Sequence, residues 1–91
     1  MAIDVRITAS LQKLVDGQRS VTTNGGTIIE CLDEIEKTYP GLKDQLLTDG
    51  ELHRFVNIYK NDEDIRFLDQ LDTPVQDGDT ISILPALAGG N

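Results

Sequence analysis

The sequence predicts an α+β fold in which one main helix packs across a mixed sheet of about five strands. Three features point there: a single segment carries apolar side chains at helical spacing, several short segments alternate apolar and polar residues, and clusters rich in Gly, Asn and Asp separate them. With 91 residues the chain has room for one domain and one modest core, because a chain this short buries only a little over ~60% of the surface its unfolded form exposes.

Residues 3–9, IDVRITA, set Ile3, Val5 and Ile7 against Asp4, Arg6 and Thr8, the period of a half-buried strand. The Asp16-Gly17 pair supplies a turn, and QRSVTT (18–23) is β-branched enough to return as a second strand, so the chain opens with a hairpin. After Asn24-Gly25-Gly26, Thr27 can accept from the first free N–H groups of a helix while Glu30 reaches back, the reciprocal pattern of a capping box. Ile28, Leu32, Ile35 and Tyr39 then fall on one helical face, with Glu30, Asp33, Glu34, Glu36 and Lys37 mostly elsewhere. Pro40 disfavours helical geometry at Tyr39, and Gly41 helps release the chain.

LKDQLLTDGEL (42–52) reads as a short helical turn and loop, and RFVNIYKN (54–61) as a strand with Val56 and Ile58 on its inner face. Asn61 to Asp64 form a polar turn, after which IRFL (65–68) can return as a short strand. Pro74 and the Asp77-Gly78-Asp79 turn precede TISILP (80–85), a last strand with Ile81 and Ile83 on one face; Pro85 lacks a ladder donor, so pairing is expected to fail near it. One helix laid diagonally across these strands buries the single apolar stripe, and the connection after the first hairpin is long enough for a parallel central pair. That layout is a β-grasp, the ubiquitin-like fold, with residues 1–85 as the globular domain and 86–91 as a flexible C-terminal tail.

Sixteen acidic against eight basic residues give a formal charge of −8, a surface that repels phosphate backbones and anionic lipid and steers towards basic partners. Nucleic acid and membranes are therefore excluded as expected partners. The N-terminus lacks the apolar stretch of a signal peptide, no run approaches a spanning helix, and the lone Cys31 cannot form an internal disulfide, so a cytoplasmic location is expected. Cys31 flanks the helical stripe and is read as a small buried hydrophobe. His53 has no second histidine with which to build a metal site and is read as an ordinary residue at the start of a strand. Asp62-Glu63-Asp64 and Asp77-Gly78-Asp79 lack the spacing of a calcium loop and are read as solvated turns; no metal site is expected.

The element order, LHRFVNIYKNDEDIRF (52–67) and DGDTISILPALAGG (77–90), with a glycine pair just after the last strand, resemble the ThiS/MoaD family of ubiquitin-like sulfur carriers, and within it the CysO-type carriers of cysteine biosynthesis. The resemblance covers essentially the whole chain. It implies a carrier rather than an enzyme, with no cofactor bound: an E1-like enzyme would adenylate the C-terminal glycine carboxylate with ATP, and sulfur would displace AMP to leave a thiocarboxylate. It further implies a pyridoxal-phosphate-dependent cysteine synthase that uses that thiocarboxylate and a JAMM-type zinc metallopeptidase that releases the product. Carriers for molybdopterin, thiamin or tRNA thiolation, and a ubiquitin-like modifier joined to lysines, are alternatives, as is an interaction module with an inert tail.

Carried over residue by residue, the reactive carboxylate falls on Gly90, and Gly89 and Gly90 are the residues narrow enough to thread a closed site, having no Cβ. From Pro85 to Gly90, six residues reach at most roughly 20 Å at ~3.3–3.6 Å each. Asn91 departs from the family ending. With it in place Gly90 is an amide, so the role of Gly90 depends on removal of Asn91 by a peptidase; the rival reading is that Asn91 is simply an added residue. Phe55, Tyr59, Phe67 and Leu84 are candidate docking residues for the activating enzyme if they stand exposed beside the tail, and otherwise close the far side of the core.

Overall fold

The computed structural model describes residues 2–85. Strand β1 (Ile3–Ile7) buries Ile3, Val5 and Ile7 and pairs antiparallel with β2 (Ser20–Thr23), Val5 opposite Val21. The expected hairpin is present, but the Asp-Gly turn does not join its strands directly. A 3-10 helix, Ala9–Val15, intervenes and drops Val15 into the core; Asp16, in the left-handed region at φ 57°, then ends that helix. The second strand therefore starts at Ser20 rather than Gln18.

Helix α1 spans Ile28–Thr38. Thr27 Oγ1 accepts from Glu30 N at 3.3 Å as expected, whereas the Glu30 carboxylate accepts from Gly26 N at 2.7 Å, one residue upstream of the usual partner in a capping box. Ile28, Leu32 and Ile35 are buried on its inner face together with Cys31, while Tyr39 lies just past the helix and is half-buried. Glu36 accepts from the backbone N–H groups of Gly41 and Lys43 at 3.2 and 3.1 Å, which sets the start of α2 (Leu42–Leu46). Gly41 sits at φ 111°, where a side chain would be strained, and so allows the chain to turn abruptly between the two helices.

The segment after α2 differs from the expected loop. β3 (Leu47–Thr48) and β4 (Glu51–Leu52) form a small separate hairpin around Asp49-Gly50, both at positive φ (54° and 81°), the geometry that an Asp-Gly pair favours in two-residue turns. β5 (Val56–Lys60) follows with Val56 and Ile58 turned inwards, and β6 (Glu63–Asp64) pairs with its end.

The predicted strand 65–68 is corrected: Ile65–Phe67 is a 3-10 turn. Asp64 accepts from Arg66 N at 2.9 Å, and the Arg66 guanidinium reaches back over β5 to Asn57 Oδ1 (2.5 Å), Val56 O (2.8 Å) and His53 O (3.1 Å). These four hydrogen bonds curl the chain where residue alternation alone suggested extension. A second 3-10 turn, Gln70–Asp72, leads to buried Thr73, and the strip 73–75 hydrogen-bonds the start of α1 through Ile28 N to Thr73 O and Val75 N to Gly26 O, both 3.0 Å.

The last strand, β7 (Thr80–Pro85), lies parallel to β1 and antiparallel to β5, so the five-stranded sheet runs β2-β1-β7-β5-β6. The parallel central pair is as expected from the length of the crossover. Pairing reaches Pro85 itself, opposite Val56. Ile3, Val5, Ile58, Ile81 and Ile83 of the sheet form one core with Ile28, Leu32 and Ile35 of α1 and Leu42 and Leu46 of α2, the β-grasp arrangement. No helix among the described residues is long and apolar enough to cross a membrane.

Candidate functional site

β7 delivers the chain to Pro85 at the end of the sheet where β1 also finishes, because the two strands run parallel. The tail 86–91, with Gly89, Gly90 and Asn91, lies outside the described residues. What the structure defines is the surface around the point from which that segment departs.

A groove of about 110 Å³ adjoins Pro85, lined by Thr8, Leu11, Gln45, Phe55 and Leu84 among others. Four stretches distant in sequence build it. Thr8 and Leu11 follow β1 into the 3-10 helix, Gln45 comes from α2, Phe55 immediately precedes β5, and Leu84 and Pro85 close β7. Phe55 and Leu84 are 44% and 45% exposed, so the groove presents an apolar lip with room for about one aliphatic side chain.

Phe55 is held in place by its neighbours. Its backbone N–H donates to His53 Nδ1 at 3.1 Å, the two rings lie 5.4 Å apart, and the Arg54 guanidinium carbon sits 5.0 Å from the Phe55 ring centre. That placement sets a cation over an aromatic face at the rim of the groove. His53 is itself fixed by its N–H to Leu46 O at 2.7 Å, and its carbonyl accepts from both Val56 N and Arg66. His53 thus shapes the turn that presents Phe55.

Of the four expected docking residues, Phe55 and Leu84 come together. Tyr59 points to the same outer side of the sheet as Leu84 but one step away, opposite Ser82, and is half-buried. Phe67 is 87% exposed on the 3-10 turn after β6 and does not line this groove. Thr8, Leu11 and Gln45 were not legible as site residues, since only the parallel pairing and the seat of α2 bring them beside Pro85. Pro85 did carry a local signal, its missing ladder donor.

Cys31 is fully buried, and burial, followed by the nearby Glu30 charge, pushes its thiol up to about 11. A group so rarely ionised is a packing residue rather than a nucleophile. Asp79 accepts from Gln76 N at 2.8 Å and from Asn61 Nδ2 at 3.3 Å, and the hydrogen bond from Gln76 leads the causes that hold its carboxyl below the ordinary value. Asp77 accepts from Ala2 N at 2.6 Å. Both acids thus organise the turn before β7. Among the described residues, no group of three or more His, Cys, Asp or Glu side chains is placed to hold a metal ion.

Comparison with known proteins agrees with this architecture. The model of the ThiS family matches residues 5–90. The chain is 44% identical over 93 aligned positions to the sulfur carrier protein CysO of Mycobacterium tuberculosis (strain ATCC 25618 / H37Rv), covering 99% of this chain and 100% of that protein. It is 34% identical to small archaeal modifier protein 3 of Haloferax volcanii, with the same coverage. Among solved structures, a chain of the Amycolatopsis orientalis BexX/CysO complex superposes with a TM-score of 0.93 at 45% identity, covering 98% of this chain and all of that one.

Proposed function

Because the chain belongs to the ThiS family, we propose that it is a sulfur carrier of the CysO type, working through a thiocarboxylate at Gly90 and serving cysteine biosynthesis in the cytoplasm. The observation that carries this reading is full-length similarity to a named sulfur carrier. The family match ends at Gly90, one residue before Asn91; in this proposal a peptidase removes Asn91, which frees the Gly90 carboxylate.

In this proposal the chain binds no cofactor of its own, and ATP belongs to an E1-like activating enzyme. A carboxylate is a poor electrophile. The Gly90 carboxylate oxygen attacks the α-phosphorus of ATP and pyrophosphate leaves; a sulfide nucleophile then adds to the activated carbonyl and AMP departs, leaving the thiocarboxylate. The threading of Gly89 and Gly90 into that enzyme is supported by their lack of Cβ atoms. Phe55 and Leu84, exposed beside Pro85, would seat an aliphatic side chain of the enzyme, with Tyr59 extending the contact along the sheet. A pyridoxal-phosphate-dependent cysteine synthase would consume the thiocarboxylate, and a JAMM-type zinc metallopeptidase would trim Asn91 and release the product.

Incubating the chain ending at Gly90 with an E1-like enzyme, ATP and sulfide should replace one oxygen by sulfur in the intact mass, while the chain ending at Asn91 should stay unchanged. A thiocarboxylate on the Asn91 form, or none on the Gly90 form with an enzyme active on its own carrier, would overturn the proposal. A second reading, a lysine-linked modifier, is favoured by the similarity to an archaeal modifier protein. It predicts isopeptide conjugates through Gly90 in cells.

A further inference from the structure

Part of the acidic surplus of the chain gathers around a second concavity. A cleft of about 720 Å³, sharing no residue with the groove at Pro85, opens between the β3–β4 hairpin, the first turn of α1 and the segment from Leu68 to Asp72. Four aliphatic residues line it, Ile29, Leu52, Leu68 and Leu71, half-buried and packed against the core, although most of its accessible lining is polar. Its rim is acidic, with Glu51, Asp69 and Asp72 exposed, and among the described residues no lysine, arginine or histidine lines it. Phe67, 87% exposed, directly precedes Leu68.

We propose that this cleft is a second docking surface, for a protein segment that presents aliphatic side chains between lysines or arginines. The volume accommodates several side chains, unlike the groove at Pro85. The four aliphatic residues are fixed by contact with the core, so little side-chain freedom is lost when they are covered. Three carboxylates on the rim, with no cation among the lining residues, complement a basic segment and repel nucleic acid and anionic lipid. Because the two surfaces are built from different residues, one partner can hold the carrier by this cleft while another works at the end of the chain beyond Pro85.

The test uses the full chain, isotopically labelled, titrated with two synthetic peptides of equal length and charge: an amphipathic peptide of Leu and Lys, and its counterpart with every Leu replaced by Ser. The expected result is that the Leu-Lys peptide moves the backbone amide resonances of Ile29, Leu52 and residues 68–72, and that added salt weakens it. Leu71→Ser and the pair Asp69→Lys, Asp72→Lys should each lower affinity by about tenfold, with the remaining spectrum showing that the variants stay folded, whereas Leu84→Ser in the other groove should leave affinity unchanged. The proposal is overturned if both peptides give the same shifts, if the shifts centre on Phe55 and Leu84, or if folded Leu71→Ser binds as the native chain does.

Discussion

Among the described glycines, Gly25 has the least room for a side chain. A Cβ built there would stand 2.8 Å from the backbone nitrogen of Cys31 and 2.9 Å from its sulfur, closer than carbon and these atoms can approach. Since the nitrogen belongs to the first turns of α1, it cannot move without the helix. Gly25→Ala should therefore destabilise the fold by about 1–3 kcal/mol, read as a lower urea midpoint at unchanged slope. Cys31 itself offers a pH test. Its folded thiol is raised from an ordinary value near 9 to about 11 by burial. Below the ordinary value both folded and unfolded chains keep the proton and stability is flat; between there and about 11 only the folded chain keeps it, so stability should fall as pH rises through that window. Thiol reagents at pH 8 should accordingly react with the denatured chain and hardly with the native one, and rapid native labelling would contradict the burial.

At the scale of elements, Arg66 is the residue that converts an expected strand into a turn. Its guanidinium bridges Asn57 Oδ1 through one nitrogen and the carbonyls of Val56 and His53 through another, a spread that matches the planar fork and not the single nitrogen of an ammonium group. Arg66→Lys should cost about 1–2 kcal/mol and speed amide exchange at Phe55 and Val56, because the turn that presents Phe55 loses its clamp. Nothing in the IRFL segment announces this: Ile65, Phe67 and their neighbours alternate as a strand would, and the acceptors that win Arg66 lie nine to thirteen positions upstream. The β3–β4 hairpin is a different case. Its two-residue strands are too short for alternation to reveal, so the stretch read only as a helical turn and loop.

For the molecule as a whole, charge and topology act on different quantities. The formal charge of −8 should accelerate encounter with any positively charged partner, the proposed activating enzyme included if its surface is basic, without supplying most of the affinity, so the association rate should fall as ionic strength rises from tens to hundreds of millimolar while the dissociation rate changes little. Stopped-flow measurement of both rates would check this, and a salt effect confined to dissociation would contradict it. Topology decides where that encounter is useful. Parallel pairing of β1 with β7 brings the ends of both strands to one side of the sheet, and α2 supplies Gln45 there, so the chain leaves the domain beside a groove rather than from a bare edge.

Local pattern in the chain was enough to dictate the main amphipathic helix, the inward faces of β1, β5 and β7 and the Thr27 cap, because each rests on spacing among neighbours or on a residue type with one marked physical property. Packing of distant segments was needed to bring Phe55 and Leu84 together while Phe67 stands apart, and to complete their groove with Thr8, Leu11 and Gln45. The same packing sets Ile29, Leu52, Leu68 and Leu71 beside the acidic rim of Glu51, Asp69 and Asp72. The free energy that selects these neighbours is shared across the whole core, so no short stretch of residues records it.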